Sequence, residues 1–416
     1  MIQRPLYLEK IRPFMNTDVV KVLTGIRRCG KSVMLELIQQ ELVQNGVAPT
    51  QIIAINFESQ VLPFSRDIQG AYNYIKAAVA KAAVAATATT GEAARSGRKI
   101  YLFLDEIQEL EGWERLVNSC MIDFDADIYI TGSNAKMLSG ELATYLGGRY
   151  VEIKVYPFSF REVLDMLSAG GSQLSEAEAF RRYLVFGGMP FLYRYAFDDA
   201  STLQYLNDLF DSIILKDIAQ RNHIRDIDQL KRLILYLVAT TGNTFSARSV
   251  MDYLKNEKRS ISTETIYNYI EYCKEACLIH MVPREDLIGK RLLSTQEKIY
   301  LVDHGIREAL YGNNQRDINQ TLENIVFMEL VRRGYEVTIG KQRSLEVDFC
   351  ARKGGTKVYL QVAYLLADDA TVEREFSALE TIPDNYPKFV ITMDEIDRSR
   401  NGIQHYNIRR FLLEAR

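Results

Sequence analysis

The 416-residue sequence lacks any run of about 18 apolar residues, the length that a helix needs to cross a membrane. Residues 1–10 also lack the basic-then-apolar order of a secretion signal. An excess of one charge is absent too, because 54 acidic residues oppose 51 basic ones and leave a net charge of −3. With 47% apolar residues, the chain is expected to form two to four folded domains in the cytoplasm, with no membrane segment and little disorder.

Cysteine and histidine are scarce. The five cysteines are an odd number scattered along the chain, which is typical of reduced thiols and not of a disulfide framework. The close pair Cys273 and Cys277 has none of the four histidines nearby in a paired ligand spacing. The sequence therefore argues against a structural zinc site.

Short apolar segments alternate with helical stretches over residues 1–160, as in a parallel sheet covered by helices on both faces. An alanine-rich stretch at 71–94 predicts a helix between the second and third strands, fraying over 87–97. We therefore expect a three-layer α/β domain. Its predicted strands are 19–24, 51–56, 99–104, 127–131 and 150–156.

A glycine-rich segment directly follows the first predicted strand. It reads GIRRCGKS and leads into the helical run VMLELI, which matches the phosphate-binding pattern G-x-x-x-x-G-K-[ST] between a strand and a helix. In this pattern the glycines let backbone N–H groups face phosphate, Lys31 brings charge to the β and γ phosphates, and Ser32 offers a hydroxyl to Mg²⁺. The predicted nucleotide-binding residues here are Gly25, Ile26, Arg27, Arg28, Cys29, Gly30, Lys31, Ser32 and Val33.

Two adjacent carboxylates end the third predicted strand, which reads YLFLDE. At the carboxyl edge of the sheet, Asp105 can hold the metal or its water, and Glu106 can polarise an attacking water. Ser133 and Asn134 follow the fourth predicted strand at the same edge, where a hydroxyl or amide can orient water against the γ-phosphate. Asn56 ends the second strand and is predicted to hydrogen-bond Glu106.

Arg149 lies on a glycine turn, LGGRY, just before the fifth predicted strand. Its guanidinium can stabilise transition-state charge in its own subunit or in a neighbour's site. The alternative is a turn residue paired with a surface acid. A role in a neighbour's site would imply a homo-oligomer.

After residue 157 the alternation stops, and helical spacing continues around the turn GGMP at 187–190. Three helical segments follow at 230–240, 247–256 and 262–276, the last with a capped start. This order predicts a winged helix-turn-helix. The predicted domains are 1–160 (P-loop domain), 161–228 (helical connector or lid), 229–290 (winged helix) and 291–416 (small α/β module).

Together these motifs resemble a bacterial and archaeal family of AAA-like P-loop ATPases of the ASCE class. The resemblance rests on GIRRCGKS, YLFLDEIQ, ITGSNAKML, LGGRY and VYPFSFREVL, and later on FGGMP, LENIVFMELVRRGY and EVDF. It spans nearly the whole chain and implies ATP binding and hydrolysis, but it names no partner. The site residues that it implies are Lys31 and Ser32 for phosphate and Mg²⁺, Asp105 and Glu106 as the Walker B pair, and Ser133 or Asn134 as sensor.

The predicted winged helix leaves a DNA partner and a protein partner both open. Residues 229–290 carry nine basic and seven acidic side chains, a balance of 9 − 7 = +2, and duplex binding depends mainly on phosphate neutralisation. Lys255, Lys258 and Arg259 cluster ahead of the third helix and could contact phosphates.

The C-terminal module resembles the restriction-endonuclease-like fold, in which a helix acid, a strand Asp and a (D/E/Q)-x-K pair bind metal and activate water. Ala363 stands where that lysine belongs, so we expect a binding module in preference to a nuclease. The candidate residues are Glu323 or Glu329 as helix acid, Asp348 as strand Asp, Gln361 in the third motif, and Lys357 as a substitute on the same strand face.

The sequence thus predicts a Mg²⁺-dependent ATPase whose P-loop domain drives or gates its C-terminal half. A nucleotide-gated DNA-binding protein with little turnover is one alternative. A nuclease that uses the C-terminal module is the other.

Overall fold

The computed structural model describes residues 2–59, 61–90, 99–133, 146–195, 197–289, 291–312, 317–343 and 345–414. The chain forms two compact units, one from Gln3 to Tyr156 and one that begins at Pro157. Over the described ranges, none of the helices combines the length and the apolar character needed to cross a membrane.

A parallel five-stranded sheet forms the centre of the first unit, with the order β2-β3-β4-β1-β5. Its strands are β1 (Val20–Thr24), β2 (Ile52–Asn56), β3 (Ile100–Asp105), β4 (Ala126–Gly132) and β5 (Tyr150–Lys154). The predicted parallel α/β domain is confirmed. Both β1 and β3 are buried along their whole length, as strands covered on both faces must be.

Four helices accompany this sheet: α1 (Pro5–Ile11), α2 (Lys31–Gln44), α3 (Ile68–Thr90) and α4 (Trp113–Asp123). Helix α2 packs on β3 and β4, and α4 packs on β4. The alanine-rich segment lies within α3 as far as residue 90, and residues 91–98 lie outside the described residues.

The strand order determines where the functional side chains meet. Because β4 lies between β1 and β3, the carboxyl ends of four neighbouring strands share one edge of the sheet. The register places Asn56 opposite Asp105 and Thr24 opposite Gly132. The loop after β1 and the acids after β3 therefore emerge together.

The second unit begins with helices: α5 (Phe160–Ala169), α6 (Glu176–Phe186), α7 (Pro190–Arg194), α8 (Asp199–Ser212), a π-helix (Ile213–Gln220), α9 (Ile227–Ala239), α10 (Ala247–Asn256) and α11 (Thr263–Glu275). The last three coincide with the helical segments predicted for the winged helix. Ser262 caps α11, since its hydroxyl accepts a hydrogen bond of 3.0 Å from the Thr265 N–H.

A mixed seven-stranded sheet follows, with the order β12-β11-β10-β9-β8-β6-β7. Its strands are β6 (Ile279–Asp286), β7 (Arg291–Leu301), β8 (Glu336–Gln342), β9 (Leu345–Lys353), β10 (Thr356–Val362), β11 (Lys388–Thr392) and β12 (Gln404–Asn407). The accompanying helices are α12 (Gly305–Tyr311), α13 (Ile318–Arg332), α14 (Asp369–Glu380) and α15 (Ile408–Leu413).

The predicted domain boundary at residue 290 falls between β6 and β7, which pair with each other as antiparallel strands. Strand β6 also pairs with β8, so the helices at 227–275 lead into the same sheet as the C-terminal module. The division of this unit into a connector, a winged helix and a restriction-endonuclease-like module stays a prediction.

Candidate nucleotide-binding site

The loop between β1 and α2 has the backbone conformation of a tight wrap. Gly25 has a φ of +150°, and a Cβ atom there would overlap the carbonyl oxygen of Val155, so no larger residue fits. Gly30, with a φ of +101°, is the N-cap of α2. Unpaired N–H groups and the positive end of the helix dipole lie at such a terminus, which favours an anion.

Lys31 is buried inside this loop, with 4% of its surface exposed. Its Nζ lies 3.2 Å from the Gly25 carbonyl oxygen and 3.5 Å from the Ile26 carbonyl oxygen. The Oε1 atom of Glu106 lies 3.5 Å from the same Nζ. The loop lysine and the second acid of the predicted Walker B pair are therefore neighbours.

Asp105 is the centre of a hydrogen-bond network at the end of β3. The Thr131 hydroxyl donates to its Oδ1 at 2.5 Å, the Asn56 amide donates to its Oδ2 at 3.1 Å, and the Ser32 hydroxyl is a third partner. Burial raises the pKa of Asp105 above its ordinary value, while the bonds from Thr131 and Ser32 act to lower it.

The sequence-based prediction for Asn56 was wrong. Its amide hydrogen-bonds Asp105 and not Glu106. The parallel register places Asn56 directly opposite Asp105, whereas the chain leaves the sheet before Glu106.

Glu106 turns the chain off the sheet in a left-handed conformation, with a φ of +49°. Such a backbone is strained for a non-glycine residue, and strain of this kind concentrates at functional sites. Its N–H donates to the Thr131 hydroxyl oxygen at 2.9 Å, and the Gln108 amide donates to its Oε2 at 2.6 Å. The turn and these bonds hold the carboxylate beside Lys31.

Thr131 is the residue that reading the sequence missed. Its fully buried hydroxyl joins the two acids, because it donates to Asp105 and accepts from the Glu106 N–H. A polar residue at the carboxyl end of an apolar strand was the available signal. The residues predicted from this segment were instead Ser133, which is buried just after β4, and Asn134, which lies outside the described residues.

The residues present fit a magnesium ion. A hydroxyl from Ser32 and a carboxylate from Asp105 are the hard oxygen ligands that Mg²⁺ prefers. Across the described residues there is no group of three or more His, Cys, Asp or Glu side chains arranged to hold a metal. Two protein oxygens suffice for Mg²⁺, which usually keeps several waters and binds phosphate oxygens.

Four more of the predicted binding residues differ in their burial and contacts. Ile26 and Cys29 are fully buried, and burial raises the pKa of the Cys29 thiol, so it stays protonated. The Arg27 guanidinium lies 3.6 Å from the Glu58 carboxylate, and Val33 is 37% exposed on the first turn of α2.

A buried arginine near the start of the chain, Arg4, hydrogen-bonds the loop that follows β1. Arg4 donates to the Cys29 carbonyl oxygen at 3.2 Å and to the Tyr156 carbonyl oxygen at 2.8 Å. Its guanidinium also lies over the Tyr7 ring, 4.4 Å from the centroid. No local sequence pattern around Arg4 predicts these long-range contacts.

Arg149 lies at the opposite edge of the sheet from the loop. Its carbonyl oxygen accepts a bond of 3.0 Å from the Val20 N–H, at the amino end of β1, and the loop follows the carboxyl end of that strand. Five residues separate the two edges, or about 16 Å at the rise of a strand. The structure therefore does not bring the exposed Arg149 to the site of its own chain.

The nuclease candidates of the second unit are only partly brought together. Glu323 and Asp348 both lie near Lys298, and the Gln361 side chain accepts a bond of 3.2 Å from the Asp348 N–H. Two candidates have other partners: Glu329 pairs with Arg332 and Arg333, and the Lys357 ammonium lies over the Tyr359 ring.

Comparison with known proteins agrees with the geometry of the first unit. Residues 17–164 match the model of an AAA domain, and residues 177–317 match a domain of unknown function (DUF8612). An uncharacterized protein of Haemophilus influenzae is 37% identical over 415 residues, which cover 100% of this chain and 99% of that protein. An uncharacterized protein of Methanocaldococcus jannaschii is 30% identical over 372 residues, 87% of this chain and 78% of that protein.

Among solved structures, the Walker-type ATPase of Pyrococcus abyssi is similar over 73% of this chain and 93% of its own. The sequence identity is 16% and the TM-score is 0.49.

Proposed function

The chain belongs to a family of AAA-like P-loop ATPases that includes the uncharacterized Haemophilus influenzae and Methanocaldococcus jannaschii proteins, and from this premise we propose that it binds ATP with Mg²⁺ and hydrolyses ATP to ADP and phosphate. One observation carries the proposal. Lys31, held in the loop, lies 3.5 Å from Glu106, while Ser32 hydrogen-bonds Asp105.

Each side chain has a defined task in this proposal. The loop amides and Lys31 bind the β and γ phosphates, and Ser32 and Asp105 hold Mg²⁺. When bound, Mg²⁺ neutralises charge on the phosphate oxygens. Glu106, oriented by Gln108, positions the attacking water and accepts its proton.

Thr131 couples the two acids in the same proposal. Its hydroxyl bonds both the Asp105 carboxylate and the Glu106 backbone, so a shift of one acid moves the other. Ser133 and Asn134 are proposed to orient water near the γ-phosphate.

The test is ATP turnover by the wild type, Glu106→Gln and a matched control, Glu109→Gln, whose carboxylate is exposed on the turn that follows. Glu106→Gln should bind ATP as the wild type does and lose about a hundredfold or more in turnover, the usual contribution of a general base. Glu109→Gln should keep its turnover. If both the wild type and Glu106→Gln bind ATP and neither hydrolyses it, the enzyme proposal fails.

For the C-terminal half, we propose that ATP gates contact with a protein and not with DNA. At least five of the nine basic side chains at 229–290 already pair with carboxylates, so phosphate binding would have to break these pairs: Lys231, Arg232, Arg259, Lys274 and Arg284. The exposed face of α11 also carries Glu264 and Glu271.

Anisotropy of a labelled DNA duplex at low salt tests this choice, with and without ATP. We expect no salt-dependent binding of the duplex, either with or without ATP. Salt-dependent binding of wild type, reduced by Lys255→Ala together with Lys258→Ala, would support a nucleotide-gated DNA-binding protein instead. A protein partner is best sought with Glu106→Gln held in ATP, since slow turnover prolongs the bound state.

We also propose that Arg149 acts in the site of a neighbouring copy. Its exposed position at the far edge of its own sheet supports this role. Turnover per chain should then rise with protein concentration, and Arg149→Ala should lose activity while retaining ATP affinity. Turnover that does not depend on concentration would refute the role.

A further inference from the structure

A buried lysine lies among three carboxylates in the second unit. Lys298, on β7, places its Nζ 2.7 Å from Glu346, 3.3 Å from Glu323 and 4.0 Å from Asp348. The lysine is 5% exposed. Strand β7 is not a neighbour of β9 in the sheet, so this side chain connects strands that backbone pairing leaves apart.

Each carboxylate of this cluster has a further donor. The bonds are Tyr300 hydroxyl to Glu323 at 3.1 Å, Arg284 guanidinium to Glu346 at 2.5 Å, and Val362 N–H to Asp348 at 2.8 Å. Hydrogen bonds from several elements of the unit therefore satisfy the cluster, as the buried Lys298 and Asp348 charges require; the Glu346 side chain is partly exposed.

The resemblance to the restriction-endonuclease-like fold implies a divalent metal between Glu323 and Asp348. The residues present do not fit such a metal. Mg²⁺ requires oxygen ligands at about 2.0–2.1 Å in octahedral geometry, but an ammonium stands within 4.0 Å of both acids. A divalent ion that used the same carboxylate oxygens would have to displace this ammonium or lie close against it, and repulsion between the two cations opposes that.

We infer that the Lys298 ammonium takes the place of the divalent cation, so that the native chain binds no metal between Glu323 and Asp348. The cluster is a lysine-filled counterpart of a metal site. It joins β7, α13 and β9 and supplies no metal-activated water. This inference is independent of the proposed ATP hydrolysis.

The charge state of the lysine agrees with this role. Burial alone would lower the pKa of Lys298, but the nearby carboxylates, Glu323 first, outweigh burial and raise it. Lys298 thus stays charged throughout the physiological range. Burial, and after it the nearby Glu323 carboxylate, raise the pKa of Asp348, while Lys298 acts to lower it.

The experiment is calorimetric titration of the nucleotide-free, full-length chain with MnCl₂. The variants are Lys298→Met, which keeps the length of the side chain without its charge, Asp348→Asn, and the two changes combined. Lys353→Met is the matched control, because Lys353 is an exposed lysine on the same strand as Asp348.

We expect no Mn²⁺ binding that depends on Asp348 in the wild type or in Lys353→Met. Lys298→Met should bind Mn²⁺ at least about tenfold more tightly than the wild type, since uncompensated carboxylates are good ligands. The added Asp348→Asn change should remove that gain.

Two outcomes would overturn the inference. One is Mn²⁺ binding by the wild type that Asp348→Asn abolishes, which would make the native cluster a metal site. The other is a Lys298→Met chain that gains no Mn²⁺ binding, or that stays unfolded even with Mn²⁺ present. A Lys298→Met chain that folds only when Mn²⁺ is added would support it.

Discussion

Each unit of this chain contains a buried lysine close to acidic side chains, and the two lysines differ in their contacts. Lys31 has backbone carbonyl oxygens at 3.2 and 3.5 Å and a single carboxylate at 3.5 Å. Lys298 has carboxylates at 2.7, 3.3 and 4.0 Å. Both are nearly inaccessible, so burial does not distinguish them.

The difference lies in the strength of the competing partners. A phosphate can displace neutral carbonyl oxygens from the Lys31 ammonium, because an ionised acceptor makes a stronger hydrogen bond than a neutral one. A ligand that took the Lys298 ammonium would leave its three carboxylates, of which Asp348 is buried, without their shared cation. Lys31 is thus suited to binding a ligand, whereas Lys298 is suited to stabilising the fold.

The largest expected effect is that of Lys298→Ala, which tests whether Lys298 stabilises the fold. Removing one partner of a buried ion cluster should lower the free energy of unfolding of the second unit by about 3–5 kcal/mol. Urea unfolding at neutral pH with EDTA present measures it. Lys353→Ala is the control and should change the value by less than about 0.5 kcal/mol. An equally small effect at Lys298 would mean that the cluster adds nothing to the fold.

The reverse result is expected for Lys31→Met. ATP affinity should fall about a hundredfold, or about 3 kcal/mol, because the charged contact to phosphate is lost. Calorimetric titration with ATP and Mg²⁺ measures this. The exposed Lys76 on α3 provides a control, as Lys76→Met should bind ATP normally. A large loss of stability with ATP affinity retained would reverse the roles of the two lysines.

Asp303 and His304 provide a third case for this comparison. They are buried titratable groups whose hydrogen-bond partners are backbone groups. Asp303 accepts N–H bonds from Gly188 at 2.7 Å and Gly305 at 3.0 Å, and burial raises its pKa to about 6. His304 bonds the Tyr183 carbonyl oxygen at 2.7 Å, and burial lowers its pKa to about 4. Between pH 4 and 6 the native state holds the extra proton at Asp303, while the unfolded state holds it at His304.

These two contributions oppose each other. As pH rises from 4 to 6, the Asp303 contribution lowers stability and the His304 contribution raises it, each by about 2–3 kcal/mol. Relative to wild type, His304→Gln should therefore be more stable at pH 4 than at pH 6, and Asp303→Asn should show the opposite slope. Urea unfolding at both pH values measures the slopes, and equal slopes in the two variants would contradict this account.

The smallest expected effect is at Thr131. Thr131→Val removes the hydroxyl that joins Asp105 to the Glu106 backbone and should lower turnover by about tenfold, or 1–2 kcal/mol. ATP affinity should change less than turnover. Thr131→Ser keeps the hydroxyl and should restore most of the activity. Equal losses in both variants would point to packing of the methyl group and not to the hydrogen bonds.

The first unit was predictable because each step of its pattern is local. Strands β1 and β3 are continuous apolar runs, and their predicted bounds differ by one residue from Val20–Thr24 and Ile100–Asp105. The loop and the acids each follow a strand directly, so the parallel sheet brings them to one edge.

The contacts of the second unit could not be predicted from the sequence, because they are long-range and polar. Strands β6 and β7 carry charged residues that are buried in ion pairs, among them Arg284, Glu285 and Lys298, so they do not read as apolar runs. The helix acid nearest to Lys298 is 25 residues away in the chain. The pairing of Lys298 with acids from two distant segments has no local signal in the sequence.

The fit between Gly25 and Val155 has a mechanical consequence. There is no free volume between this turn and the Val155 carbonyl group, and Arg4 ties the Cys29 and Tyr156 carbonyl groups to one guanidinium. Any displacement of the loop must therefore pull on residues 155 and 156. These two residues are the last of the first unit, so the end of that unit is held against the phosphate loop.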